Sequence, residues 1–475
     1  MSINSILNMA STAMTAQQMG IQVASQNISN AETTGYSRQS VQLGTALPTV
    51  FPYGSVGTGV DIESITRSRD TLLDTTYRQA SSGSSSASTT SDALNQIQSI
   101  LGEPSDTGLS ATLDQFWSAW SDLSSNPTDS SAKSVVLEAG QNVANTLNSF
   151  ASQLDSLDQN NRGAMNADVN TVNSLANQVA TYNNQIVSAQ SNGQPANDLL
   201  DARDNILDQL SGIVGGQVVQ HANGSAAVYV GGNMLVDGTS VKPLTMNDGE
   251  PPTVTQGTDP TPISGIGGSL GAEMTMSATT IPGVMSQLDS LTQGLVQTVN
   301  SIHNGATVFT GNPAVASTAG NFFDVTNPPP AGGDPKLTAR GIEVDPTLTA
   351  DGVAASGAGA TGPGNNDVAL AMAQLQTSTV SFTSSSGAPL GTMSIDDFYN
   401  QTVGNVATAT QQAQDDSTVQ STLQSNADTR RQSVSGVSTD EELVNIIQYQ
   451  HAYQAAARLV SVVNAMADTL VTLGE

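Results

Sequence analysis

The last stretch of the chain opens Ser438-Thr439-Asp440-Glu441-Glu442-Leu443 and then carries Ile446, Tyr449, Tyr453, Ala456, Val460, Val463, Ala467 and Leu470. The apolar positions alternate steps of three and four without a miss, the spacing of one face of a long helix. Ser438 is placed to cap that helix and Glu441 to return the bond, with Asp440 and Glu442 at its positive end. The beginning of the chain mirrors this pattern. Ile3, Leu7, Ala10, Met14, Gln17, Ile21, Ala24 and Ile28 form a second stripe with one polar break at Gln17. Both stripes are narrow and rich in alanine, and neither is buried by a lone helix. The two helices therefore pack on each other as a hairpin, or on neighbouring subunits; the pattern leaves both open.

Working inward, residues 41–65 alternate Thr, Val, Gly and Pro and read as an extended hairpin. Helical signal runs from about 68 to 101, although the Ser/Gly/Thr-rich residues 81–91 taken alone look like a linker. A short helix at 109–123 carries Trp117 and Trp120, read as core or interface anchors. Thr128 or Asp129 opens the longest helical stretch, to about Gln190, and residues 197–210 form another. Composition then shifts. Residues 217–236 alternate as strands, and Ala272-Glu273-Met274-Thr275-Met276 also reads as strand. Helix resumes at 282–303 and at 395–431, with a Gly/Pro/Ala-rich stretch between.

The fold class is mixed but mainly α: long N- and C-terminal helices packed as a coiled-coil-like bundle, with β-rich inserts. The expected organisation is nested. Residues 1–35 and 438–475 form an inner terminal-helix domain. Residues 36–212, 280–305 and 395–437 form a helical middle, and 213–279 and 306–394 a β-rich outer region.

Lys plus Arg number 13 and Asp plus Glu 41, so the 475-residue chain carries 13 − 41 = −28 while only 11% of residues are charged. A shortage of basic residues disfavours nucleic acid and anionic membrane as partners. Cysteine is absent, which excludes disulfides, thiolate metal sites and cysteine nucleophiles and suits a chain exported unfolded. The first residues lack the basic and apolar regions of a cleaved signal peptide, and no run is long enough to insert into a membrane.

Two motifs suggest chemistry and fail on context. Gly267-Gly268-Ser269-Leu270-Gly271 matches the serine-hydrolase elbow, with Asp289 and His303 following. A Gly-rich loop precedes the serine where a strand is required, and the segment reads as a glycine turn entering a strand. Gly357-Ala358-Gly359-Ala360-Thr361-Gly362 fits the dinucleotide fingerprint, but Pro363-Gly364 stands where a helix must begin. His221, His303 and His451 are far apart, and His303 reads as a helix-end group satisfying carbonyls. Asp201-Ala202-Arg203-Asp204 reads as local ion pairing on a helix. No enzyme activity, cofactor or metal is expected.

Two segments carry a resemblance. Residues 24–39, Ala-Ser-Gln-Asn27-Ile-Ser-Asn30 through Thr34-Gly35-Tyr36-Ser37-Arg38-Gln39, resemble the signature that ends the first helix of bacterial flagellar rod, hook and hook-associated proteins. Residues 435–458 are similar to the C-terminal helix of the same proteins in the version of the hook-associated protein 1 family. The Gly-Tyr-x-Arg ending at Arg38 points the same way, since rod and hook proteins more often carry Gly-Phe-x-Lys/Arg. Interior matches at 197–204, 267–271, 300–303 and Phe322-Phe323 keep the family order. Residues 306–395 match least, which implies an outer domain that is reduced or missing.

The resemblance implies a structural subunit at the extracellular junction between flagellar hook and filament. It implies type III export without a cleaved signal, with an export chaperone, and assembly under the filament cap. It also implies self-association in a ring or tubular layer, between the hook protein and the second junction protein. The expected subunit contacts are Ile3, Leu7, Met14, Ile21 and Ile28 at one end and Tyr449, Tyr453, Val460, Val463 and Leu470 at the other. Asn27, Asn30, Gly35, Tyr36 and Arg38 are the expected signature, shaping the turn out of the first helix. Ordering a residue costs about 1–2 kcal/mol, and Ala-rich stripes bury little. The terminal helices are therefore expected to be mobile in the free monomer and to order on assembly. Alternatives are another axial flagellar component, a secreted serine hydrolase using Ser269, or an adhesin.

Overall fold

The computed structural model describes residues 3–51, 54–311, 314–325, 335, 337–384 and 387–473, with the side chains of Phe51, Leu470, Val471 and Leu473 outside the description. Leu470, expected at a subunit contact, thus lies outside the residues whose side chains are described.

Helix α1 (Ile3–Ser29) ends in the turn at Gly35, and β1 (Gln39–Thr45) follows. A small ladder, β2 (Thr49–Phe51) and β3 (Gly54–Val56), extends the hairpin, and β4 (Val60–Arg67) returns antiparallel along β1 from Thr45↔Val60 to Gln39↔Arg67. The helical middle is α2 (Thr71–Leu101), α3 (Leu109–Ser125), α4 (Ser130–Ser191) and α5 (Asn197–Val214). Asp70 and Asp129 cap α2 and α4 by accepting from backbone N–H groups of the first turn.

Strands β5 (Gln217–Gln220), β6 (Ala226–Val230), β7 (Asn233–Asp237) and β8 (Ser240–Val241) form one antiparallel sheet, and β9 (Leu244–Asn247) pairs with β10 (Thr253–Gln256). Helix α6 (Gly268–Thr275) runs through a π turn (Met276–Thr280) into α7 (Ile281–His303). Hairpin β11 (Thr307–Thr310) and β12 (Val315–Thr318), α8 (Asp367–Gln374), and hairpin β13 (Val380–Thr383) and β14 (Pro389–Met393) lead to α9 (Ile395–Ser435) and α10 (Thr439–Leu473).

One ambiguity in the sequence reading is resolved and one element differs, each with a clear cause. The Ser-rich 81–91 stretch is continuous helix within α2. Its small residues face α9: Gln424 donates to Ser81 Oγ at 3.3 Å, and a Cβ on Gly83 would lie 2.8 Å from Gln420. Tertiary packing on a close neighbour overrides the weak local propensity. Residues 272–276 are helix and π turn, so 268–279 does not belong to a β region. Their burial falls in pairs, Ala272 with Glu273 and Met276 with Ser277, a helical repeat that Met274-Thr275-Met276 disguise as alternation.

Two buried clusters hold the middle together. One gathers the end of α2, α3, the first half of α4, α7, α8 and the start of α9 around Phe116, Trp117, Trp120, Phe322 and Phe323. Residues 306–382 contribute Val308, Ile342, Val353 and Phe382 to this same cluster instead of closing a core of their own. The other cluster joins the second half of α4 and α5 to the sheet through Val172, Val179, Leu210, Val228, Leu235 and Val254. Trp117 and Trp120 are thus core residues, 1% and 0% exposed.

Candidate functional site

The ends of the chain meet. Helices α1 and α10 pack antiparallel, with the Tyr449 ring 3.0 Å from where a Cβ of Gly20 would stand. Ala10, Ala16, Gly20, Val23, Ala24 and Asn27 are the buried positions of α1. Small residues let the axes approach closely. The run Ala16, Gly20, Val23, Asn27 is displaced by one residue, about 100°, from the expected stripe. Ile3, Leu7, Met14, Ile21 and Ile28 are accordingly half-buried. On α10 the expected stripe does face α1: Val463 is 4% exposed, and Tyr449, Tyr453 and Val460 are half-buried.

The signature residues form the knot below this pair. Asn27 is fully buried; its amide donates to the carbonyl of Gln39 at 2.9 Å, and its Oδ1 accepts from Gln39 N at 3.0 Å and Tyr36 Oη at 2.8 Å. One side chain thereby holds both backbone groups of the first residue of β1. Burial, then the charges of Asp198, Asp201 and Glu442, push the Tyr36 phenol up to about 12, so it remains a donor. Asn30 donates back to Gln26 O at 3.0 Å and stops the helix. Gly35 turns the chain at φ +82°, where a side chain would also press on Asn205 at 3.3 Å. Arg38 ties the ends together: its Nη1 lies 3.2 Å from Glu441, its Nε 3.8 Å from Glu442, and its N–H donates to Ser435 O at 2.9 Å.

The knot rests on a buried charge cluster that the sequence reading missed. Ser37 gives both its N–H and its hydroxyl to Asp201, at 3.0 and 2.7 Å. Arg67 Nη1 bridges Asp201 and Asp204, at 2.6 and 2.9 Å. Arg69 holds Asp74 at 2.9 Å, Arg78 holds Asp208 at 2.7 Å, and Arg431 of α9 reaches the same Asp208 at 2.5 Å. Arg431 also lies 3.6 Å over the ring of Tyr77. Asp201, Arg203 and Asp204, read locally as a helix-face ion pair, are 6%, 0% and 1% exposed; the two aspartates pair with Arg67 across more than a hundred residues, while Arg203 donates to Asn183 Oδ1 at 3.1 Å and Gly224 O at 2.6 Å. Burial raises the pKa of the Asp204 carboxyl, and the guanidiniums of Arg67, Arg69, Arg78 and Arg203 more than offset it, leaving it below the usual carboxylate range. The signal available in sequence was Arg67-Ser68-Arg69 in so arginine-poor a chain, set against Asp201, Asp204 and Asp208 at steps of three and four.

The residues singled out for chemistry are engaged elsewhere. Ser269 donates to Asp168 at 2.6 Å, and Asp289 accepts from Ala339 N at 2.8 Å. His303 ends α7 but is not a cation there. Its Nδ1 bonds Gly320 O at 2.8 Å and its Nε2 accepts from Ala354 N at 3.1 Å, which fixes a neutral ring, and burial lowers its pKa. The glycines of 357–362 lie in a loop, and the next helix starts only at Asp367. Among the described residues no group of three or more His, Asp or Glu is arranged to hold a metal, and no helix is long and apolar enough to cross a membrane.

A discontinuous module of first and last helices, tied to a helical middle, is the build of an axial flagellar protein. The pattern of the flagellar hook-associated protein FlgK helical domain matches residues 94–323, and that of the flagellar basal body rod FlgEFG protein C-terminal region matches 430–473. Flagellar hook-associated protein 1 of Bacillus subtilis is 30% identical over 98% of this chain and 97% of its own length. Its namesake from Salmonella typhimurium is 25% identical over 99% and 100%. The solved flagellar hook junction protein FlgK from Burkholderia pseudomallei shares the fold with a TM-score of 0.63 at 17% identity, covering 76% of this chain and all of that one. The chain belongs to the flagellar hook-associated protein 1 family.

Proposed function

We propose that this chain is a structural, non-enzymatic subunit of the hook–filament junction that self-associates through its terminal helices outside the cell. One observation carries the reading. With one apolar stripe of α10 turned to α1, a second remains on the opposite side: Val444, Ile447, Leu459, Val462 and Met466 are 45–59% exposed. At 100° per residue these five fall within about 120° of one another. A helix with two apolar faces belongs between two neighbours, and among the described residues α1 is the element of its own chain that packs along it. Helix α1, which has no charged side chain from Ile3 to Ser29, is the matching surface on the next copy, with Ile3, Leu7, Met14, Ile21 and Ile28 only half-covered. The proposed role includes arrival by type III export with a chaperone, assembly under the cap, and placement between hook protein and second junction protein. The match of 430–473 to rod proteins favours a terminal module shared among axial components, whereas the match of 94–323 separates this chain from them.

Val462→Asp is expected to abolish filament attachment in a strain lacking its own copy, leaving bare hooks in electron micrographs and filament protein in the medium. Its middle should unfold within about 0.5 kcal/mol of the unaltered chain, as exposed substitutions do. Val460→Asp, on the face turned to α1, should also block assembly. Filaments on hooks built with either variant would sink the reading. Hydrogen exchange on the free chain should find residues 3–30 and 445–473 exchanging fast while α3 and α4 are protected; slow exchange across both ends would refute coupled ordering.

A further inference from the structure

We propose that the groove between the start of α2 and strand β5 receives the β2–β3 hairpin of a second copy of this chain. The inference rests on the self-association just described and adds a second contact, away from the terminal helices. Strand β5 is an edge: among the described residues it pairs with β6 on one side and with no strand on the other. An unpaired edge is a template for another strand. Between it and α2 lie adjoining cavities of about 460 and 410 Å³ that share Thr75, Arg78, Val218 and Val219. Leu72 and Val219 on the rim are 72% and 47% exposed.

The charged residue that lines the groove is already balanced. Arg78 is 6% exposed; its Nε bonds Asp208 at 2.7 Å and its Nη2 ion-pairs with Asp204 at 3.6 Å. Because Asp204 and Asp208 already balance the charge of Arg78, an uncharged segment fits the groove better than an acidic one.

The hairpin has the complementary chemistry. Leu47 and Val50 are the two most exposed large apolar residues among those described, at 90% and 80%. Residues 44–60 contain no charged side chain. Its own chain does not deliver it to the groove. The ladder of β1 and β4 leaves the Arg67 end, beside the groove, and its seven residues at about 3.3 Å each carry the hairpin roughly 20 Å away. There Gly59 lies against Met9 and Thr12 of α1. Only another copy, displaced along the assembly, brings the two together.

The absence of cysteine makes the test clean. Val50→Cys and Val219→Cys chains, co-expressed in a strain without its own copy and treated on isolated flagella with a flexible bis-maleimide, should give a covalent dimer. Neither single variant, nor Val50→Cys with Val135→Cys on the exposed face of α4, should do so. Val219→Asp should remain folded and lose filament attachment. Assembled flagella giving no more mixed dimer than the Val135 control, or normal filaments on Val219→Asp hooks, would overturn the docking and leave the terminal-helix reading standing. Failure of that reading would show separately, as filaments on Val462→Asp hooks.

Discussion

Asp204→Asn is expected to lower the unfolding free energy by about 3–5 kcal/mol, the cost of removing one partner from a buried ion cluster. Asp204 is 1% exposed and is approached by Arg67 at 2.9 Å, Arg78 at 3.6 Å and Arg69 at 3.7 Å. The cluster holds five arginines (67, 69, 78, 203, 431) against five aspartates (74, 201, 204, 208, 428), and removing one carboxylate leaves a buried positive charge without its counterpart. The loss should also be specific to acid. The folded carboxyl titrates below its unfolded value, so its contribution is complete above the usual carboxylate pKa and disappears as pH falls through the folded one. The variant should therefore show a shallower acid limb. Urea unfolding from pH 3 to pH 7 measures both effects; a change under about 0.5 kcal/mol at pH 7 would mean that the cluster does not hold the knot.

That cluster marks the boundary of what the sequence makes legible. The C-terminal stripe is readable because every residue that matters to it lies three or four positions from the next, and a helix imposes that spacing regardless of what lies beyond. The same pattern contained more than was taken from it: Val444, Ile447, Leu459, Val462 and Met466 repeat on the opposite face and can be found by the same count. Asn27 and Gly35 were legible through resemblance alone. That Asn27 bonds both backbone groups of Gln39 depends on where β1 lies, which no local spacing encodes. Arg67 with Asp201 is harder still, since 134 residues separate the partners and each alone resembles a solvated surface charge. Helix α2 was legible as a whole, and only its serine-rich middle, taken alone, misled, for a related reason. Its serines and glycine are poor helix formers, but they are the residues small enough to admit α9.

Concentrating five of 13 basic residues in one buried cluster also gives the composition a structural meaning. The shortage of Lys and Arg leaves most carboxylates unpaired on the surface. The arginines the chain does have are spent largely where α2, α5, α9 and the ends of the chain converge. Relative rotation of the terminal module and the middle would have to break charge pairs out of water. The knot is accordingly stiff, and any compliance in an assembled junction is left to packing between small apolar stripes.

Glu273→Gln is expected to stabilise the chain, in contrast to nearly every other buried change. Glu273 sits in α6 one turn before the π turn, is 7% exposed, and has an Oε2 without a partner. Asn161 donates to its carbonyl oxygen at 2.7 Å and to Ser277 at 2.8 Å, pinning the backbone so that the side chain has no route to water. Burial, with the charge of Asp168 behind it, pushes the carboxyl up to about 8. The folded chain therefore keeps a proton that the unfolded chain releases. Stability should fall as pH rises from about 4.5 to about 8 and level off above, opposite in sign to Asp204. Integrated to pH 7 that difference is about 3 kcal/mol, and glutamine removes it by having no proton to lose. The two chains should unfold alike near pH 5, and the variant should gain steadily until pH 8. Parallel stability curves over pH 5–9 would show that Glu273 ionises in the fold and that its environment is wetter than its burial implies.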